Sequence, residues 1–389
     1  MSKKNSILFV RPDYHCSFFY RDEFRKQGWK ADIYVPADYP ENLLYSGQDI
    51  LSPPVLPGKK TRVKAVLNKF MMFLWWHTIF WKYDTHFYYG HPPIIGLGKL
   101  IERVFPFSKI VGTNFCWELW IAKLFGVKLI IVPTGCHDSD LKKTWQTFDD
   151  GNVCNNCGFY NKCDDRLNAI GFGRIRHYFD FAVGGETKVS KEMVDKPVKY
   201  KAIDLNLWRP GMEIPAEHLL PPTQNLRILH SAYLEKSDRT WEGRNIKGSP
   251  YVVAAIEQLQ AEGYPVEYLY ISNKPSNQMR FYQAQADIVV EQLIYGWWGS
   301  TGVETMTLGK PVVCYLRPSW KEHFLSTFPE YTDVPAINAS TTTIYEELKK
   351  LVVDADYRKQ KGEDSRRFAL QHFDPAKNTR AFIQILEKL

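Results

Sequence analysis

The residues from Gly299 to Val313, GSTGVETMTLGKPVV, set one carboxylate among small side chains just ahead of an apolar run. Ser300 and Thr301 are helix-capping types, so a helix over 301–308 is predicted to begin there, with Glu304 in its first turn. The free N–H groups and positive dipole end of such a helix suit a phosphate, and Gly299 and Gly302 would permit its close approach. A carboxylate beside a phosphate would repel it. Glu304 is therefore expected to address a neutral part of the same ligand, and a ribose diol offers it two hydroxyl donors. The alternative is that Glu304 only complements the helix dipole on a solvated face.

A second group able to do chemistry is CNNCGFYNKC, which places Cys154, Cys157 and Cys163 within ten residues. A C-x2-C turn aims two thiolates at one ion and is a half-site for tetrahedral zinc, with Cys163 as the third ligand and Cys136 or His137 as the fourth. Such a zinc would be structural, bracing a segment rich in Asn, Gly and Asp that lacks a core of its own. No catalytic cofactor is expected. A turn of reduced thiols is the other reading. Asp138, in PTGCHDSD, is a general base by type, and together with Ser139 it is equally a helix cap.

These groups need a frame to position them. SILFV, KADIYV, DTHFYYG and VKLIIVPTG read as strands, and FFYRDEFRKQG and WELWIAKLFG as helices closed by glycine. After the Pro-rich stretch LWRPGMEIPAEHLLPP the pattern restarts. LRILHSA, VEYLYIS, ADIVVEQ and PVVCYL read as strands, and SPYVVAAIEQLQAEG, NQMRFYQAQ and TGVETMTLG as helices. This alternation predicts an α/β fold of two Rossmann-like domains facing a cleft, with functional loops at the carboxyl ends of the strands. The expected domains are 1–205, holding the Cys-rich insertion, and 225–375, with a linker over 206–224. A chain of 389 residues, 44% of them hydrophobic, suits two cores better than one.

ADIVVEQLIYGWWGSTGVETMTLGKPVV resembles the nucleotide-binding segment of GT-B glycosyltransferases of the family-4 type, in which a strand, a glycine-rich loop and a Glu-bearing helix run into G-x-P-V. GRNIKGSPYVVAAIEQL is similar to the start of that family's C-terminal domain, and YKAIDLNLWRPG to its interdomain segment. The likeness is good over 200–315 and looser before it, and it implies that the final helix, 376–389, returns to the first domain. It implies the GT-B fold and transfer of a hexose, without a catalytic metal and with retention, from a nucleotide-sugar donor to a glycan or lipid-linked acceptor. It also implies roles. Arg244 and Lys247, with Gly248 beside them, would clamp the diphosphate whose charge grows as the sugar leaves; the other reading of the pair is a solvated basic loop. Glu304 would hold the ribose, and the N–H groups near Ser300 and Thr301 the phosphates. His230, ending a strand, would bond the acceptor or a phosphate, or else be satisfied within the protein. His137 and Asp138 would face the acceptor or the sugar. The family often carries a first glutamate eight positions before the one matched by Glu304. That position is Gly296 here, and Glu291 or Gln292 is near enough in the chain to substitute.

No acidic residue occurs from Ile50 to Tyr83, and KKTRVKAVLNKFMMFLWWHTIFWK joins a basic half to a Trp-rich half. The run is too short to span a bilayer and suits an interface with anionic lipid, giving peripheral membrane contact through 59–82. A helix packed in the first domain with its lysines in water is the alternative. Nucleic acid is not expected as a partner, since no nucleic-acid module accompanies the basic stretch. The net charge of +7 suits anionic ligands without choosing among them. The opening MSKKNSILFV lacks a signal-peptide pattern, and seven cysteines fit reduced thiols or a metal site, so a cytoplasmic protein is expected. A nucleotide-sugar epimerase on the same scaffold and a non-catalytic nucleotide-sugar-binding protein are the competing functions.

Overall fold

The computed structural model describes residues 5–13, 15–35, 39, 44–46, 49, 61–80, 82–90, 114–132, 152–158, 160–183, 201–230, 240–241, 244–271 and 274–389. The chain forms two compact units, Met1–Leu141 with Asp164–Tyr200 and Pro375–Leu389, and Lys142–Cys163 with Lys201–Asp374.

In the first unit, β1 (Ser6–Val10), β2 (Lys30–Tyr34), β3 (Thr85–Tyr89), β4 (Lys128–Val132) and β5 (Phe181–Ala182) form a parallel sheet in the order β2-β1-β3-β4-β5. β1 is buried along its whole length, as its unbroken apolar run requires of a strand covered on both faces. α1 (Cys16–Lys26) follows it and stops before Gly28, whose φ of 80° ends the helix in the left-handed region. α2 (Arg62–Phe80), α3 (Trp117–Leu124) and α4 (Asp165–Tyr178) contribute Trp76, Leu119 and Ile175 to a core shared with Leu8, Tyr88 and Ile131. Asp164 caps α4, its carboxylate accepting from the N–H groups of Arg166 and Leu167.

The C-terminal helix, Pro375–Leu386, belongs to this unit. It buries Phe382 edge-on against Phe24 and Phe87, both at 5.6 Å, and Phe181 at 6.0 Å. Lys128 Nζ donates to the carbonyl of Leu386 at 2.6 Å and ties the helix end to the start of β4. One side chain thus joins the last helix to the sheet and to α1. Phe382→Ala is expected to cost about 3–5 kcal/mol, read as faster amide exchange in β1 and β3.

The second unit repeats the plan. β6 (Leu226–His230) leads to a short antiparallel ribbon of β7 (Thr240–Trp241) and β8 (Arg244–Asn245). β9 (Val266–Tyr270), β10 (Ile288–Val290), β11 (Val312–Cys314) and β12 (Ile337–Asn338) join β6 in a parallel sheet ordered β12-β11-β10-β6-β9. The helices are α5 (Ser249–Ala261), α6 (Met279–Ala284), α7 (Ser300–Thr307), α8 (Pro318–Thr327), α9 (Ile344–Val353) and α10 (Ala355–His372). Alternate strand residues serve opposite faces. Ile228 and Val290 meet α5 and α9, whereas Leu229 and Val289 meet Tyr282 of α6.

The Pro-rich segment expected as a linker is anchored on this second unit. His218 stacks on Phe281 at 4.7 Å, and the Gln285 side chain accepts from Leu220 N and donates to His218 O. Trp208 is fully buried. In both sheets the first strand lies between the second and the third, so growth of the sheet reverses between β1 and β3 and between β6 and β10. Ligands of open α/β sheets bind at the carboxyl ends of the strands at such reversals.

Candidate functional site

At the reversal between β6 and β10, His230 lies in register with Val290. Its Nδ1 donates to Val290 O at 2.8 Å, and its Nε2 accepts from Ser249 Oγ at 2.8 Å. Burial pushes the imidazole down to about 4, so the ring is neutral and one tautomer satisfies both contacts. The expectation that His230 bonds a ligand therefore gives way to its alternative. A residue ending a central strand has protein on every side, and here it ties the start of α5 to β10.

The turn before α5 is built by Asn245, whose Oδ1 accepts from Lys247 N at 2.9 Å and whose carbonyl accepts from Gly248 N at 3.0 Å. Gly248 sits at φ 75°, and a Cβ there would stand 2.9 Å from Leu293 Cβ, so backbone geometry alone demands glycine. Leu293 N donates to Lys247 O at 3.1 Å, which laces this turn to the loop after β10. Arg244 occupies β8, the strand leading into the turn.

Glu291, expected only as a substitute for the family's first glutamate, has a role within the protein that the sequence did not disclose. It is 2% exposed, and its Oε1 accepts from Gly299 N at 2.7 Å. Burial raises its pKa, while Lys247 and the N–H groups of Gly299 and Gly302 oppose that shift. Lys247 Nζ stands 3.9 Å from Oε1, attracted across a gap too long for a hydrogen bond. The helix tip expected to receive a phosphate thus already holds a carboxylate of the protein. A Cβ on Gly299 would lie 2.7 Å from Oε1, and one on Gly302 2.6 Å from Oε2. These glycines make room for Glu291, which corrects the reading that they clear space for a ligand.

The helix itself starts one residue early. α7 runs Ser300–Thr307 with Gly299 as its cap residue; glycine has no side chain with which to cap, and Glu291 accepts from Gly299 N from outside the helix. Ser300 and Thr301 are its first helical residues, and Glu304 falls in the second turn. Gly299, Ser300 and Thr301 remain partly exposed, so the tip stays open. Glu304 is only 7% exposed, and its Oε2 accepts from Gln283 Nε2 of α6 at 2.5 Å. That placement removes the reading of Glu304 as a dipole partner on a solvated face.

Gly296, where the resembling family often has a glutamate, has φ 108°. A Cβ there would lie 2.6 Å from Arg317 Nη2. Arg317 donates from Nη2 to Tyr295 O at 2.7 Å and from its backbone N to Gly296 O at 2.8 Å. The space a longer side chain would need is filled by a guanidinium packed beside the Trp297 ring. Gln292 donates to the carbonyl of Trp297 and so shapes the same loop. Trp298 anchors the loop's far end on Trp320 of α8, ring centroids 4.4 Å apart.

Cys136, His137 and Asp138 lie outside the described residues. Cys154 is buried in a helical turn, with Cys157 N donating to its carbonyl at 3.2 Å and Cys163 N to Tyr160 O at 3.4 Å. Among the described residues no group of three or more His, Cys, Asp or Glu is placed to hold a metal ion.

The two-unit architecture has solved counterparts. Sucrose-phosphate synthase from Thermosynechococcus elongatus matches with a TM-score of 0.60 at 11% identity over 99% of each chain. HepE from Anabaena, solved with UDP and glucose, matches at 0.54 and 12% over 98% of this chain and 99% of that one. UDP-GlcNAc 2-epimerase from Neisseria meningitidis, bound to UDP-GlcNAc, matches at 0.52 and 9% over 99% of this chain and 100% of that one. This chain has the GT-B fold. The two Rossmann-like units predicted from the alternation of strands and helices are its halves. No protein-family profile matches the sequence, and neither does any curated protein.

Two outcomes follow from this GT-B second unit. The folded His230 protonates near 4 and an unfolded one near about 6.5. Its stabilising contribution is therefore complete above about 6.5 and is lost as pH falls toward about 4, a change of about 3 kcal/mol in denaturant melts that His230→Asn should abolish. Gly299→Ala should destabilise the protein by about 1–3 kcal/mol and be nearly neutral on a Glu291→Ala background, as read from a thermal-unfolding double-mutant cycle.

Proposed function

We propose that the protein transfers a hexose from a nucleotide-sugar donor to a glycan or lipid-linked acceptor, with the donor seated on the second unit where β6 and β10 end. One observation carries this reading. At the reversal of the sheet, Lys247, the amino end of α5 and the partly exposed amino end of α7 are held together by His230, Leu293 and Glu291. Such a group of positive ends suits a diphosphate, and fixed positive charge there lowers the barrier as negative charge develops on the leaving group.

In this reading Lys247 and the N–H groups of Ser300 and Thr301 meet the diphosphate, and Arg244 is assigned the other half of the clamp. Glu291 acts before the ligand arrives, keeping Lys247 and the start of α7 in position. Glu304, held by Gln283, is assigned to the ribose hydroxyls. The acceptor is assigned to the first unit, whose segment following β4 carries His137 and Asp138. The solved complex of HepE with UDP and glucose supports a nucleotide-sugar as the ligand class on this fold.

The likeness to the epimerase supports a second reading, conversion of the donor sugar without transfer. Incubating donor alone separates the two, since only an epimerase returns the epimeric nucleotide-sugar.

Glu304→Gln, which preserves side-chain volume, should weaken nucleoside-diphosphate-hexose binding by roughly tenfold to a hundredfold in calorimetry, the worth of charge-assisted hydrogen bonds. A donor lacking the ribose 2′-hydroxyl should lose affinity for the wild type and little for the variant. Equal losses in both proteins would remove Glu304 from the ribose.

A further inference from the structure

α2 is apolar on two opposite faces. One is accounted for: Trp76 and Ile79 are buried in the core of the first unit, with Met72, Phe73 and Trp75 packed against it. The other is not. Val63, Val66, Leu67, Phe70 and Leu74 are 68, 51, 45, 52 and 51% exposed. At about 100° per residue these side chains fall within a single arc of about 100°. The exposed Trp120 of α3 extends the surface, linked to α2 through Trp117, whose ring lies 5.2 Å from Trp120 and 6.2 Å from Phe73. A contiguous apolar surface of this kind, bordered by charge, marks an interaction site.

Charge selects the occupant. On the same helical wheel, Arg62 and Lys69 border the apolar arc on one side and Lys64 on the other. No acid lies between Ile50 and Tyr83 to balance them. A second copy of this chain would set these cations against their own kind. An anionic lipid surface neutralises them, while their aliphatic stems and the apolar arc enter the boundary between headgroups and acyl chains.

We propose that α2 seats the first unit on an anionic membrane surface, with the helix lying in the plane of the interface. Among the described residues no helix is long and apolar enough to cross a membrane, which agrees with a surface seat. The inference is independent of the donor site, since it concerns a different unit and needs no nucleotide.

The test is sedimentation of the full chain with vesicles of phosphatidylcholine alone or mixed with phosphatidylglycerol. Binding to the mixed vesicles is expected, weakened by added salt. Phe70→Glu/Leu74→Glu should reduce it roughly tenfold or more, and Arg62→Glu/Lys69→Glu should reduce it as well. All four positions are exposed, so thermal unfolding of these variants should match the wild type, and donor binding in calorimetry should be unchanged. Failure of the wild type to bind, equal binding to neutral vesicles, or binding unaffected by either variant would overturn the proposal. So would a concentration-dependent dimer in light scattering that Leu74→Glu dissolves while vesicle binding stays absent.

Discussion

A carboxylate buried at the amino end of α7 organises the second unit. Burying an ion costs several kcal/mol, and the favourable field of a helix end returns at most about 2 kcal/mol. The helix alone cannot hold Glu291, so direct N–H donation from Gly299 and the attraction of Lys247 are needed too. Even with them burial dominates, and the pKa of Glu291 stays raised. The rest of the site follows from satisfying this group. Gly299 and Gly302 must lack a Cβ. Lys247 must keep its ammonium within reach of Glu291, in a turn that Asn245 and Leu293 hold in place.

The two units share one topology, and that topology decides where such a group can do chemistry. In each, the first strand lies one in from the edge, between the second and third strands, and the crossovers leave it in opposite directions. At the reversal between β6 and β10, two helices start where the strands end. His230 closes that junction with both ring nitrogens, Lys247 and Glu291 supply charge, and the open tip of α7 supplies donors. GT-B neighbours of very different sequence keep the same frame, with 9–12% identity across nearly their whole lengths. Frame and chemistry are separable, so ligand choice is set by the residues at the strand ends.

Much of the frame was legible in the sequence for simple reasons. ILFV and LIIV are unbroken apolar runs, as strands covered on both faces must be, and Gly28 and Gly126 stand where helices stop. What could not be read were partnerships across the fold. Gly299 and Gly302 look the same whether they admit a phosphate or a carboxylate, and only packing shows that Glu291 is what they admit. α7 starts at Ser300, one residue before the predicted 301, with Gly299 at the cap position and the accepting carboxylate supplied by Glu291 from another segment, a partnership that capping propensities do not register. Gly296 reads as a missing glutamate until Arg317, far along the chain, is found in the space a side chain would need. The stretch was legible as a basic half joined to a Trp-rich half, but which apolar face of α2 serves the core and which meets solvent is a matter of tertiary contact.

Backbone amide exchange of the full chain, with and without a nucleoside-diphosphate hexose, tests the placement of the donor most directly. Protection should rise at 247–249 and 299–302, the two helix starts joined by His230 and Glu291. Unchanged exchange at both starts while another part of the chain becomes protected would contradict it.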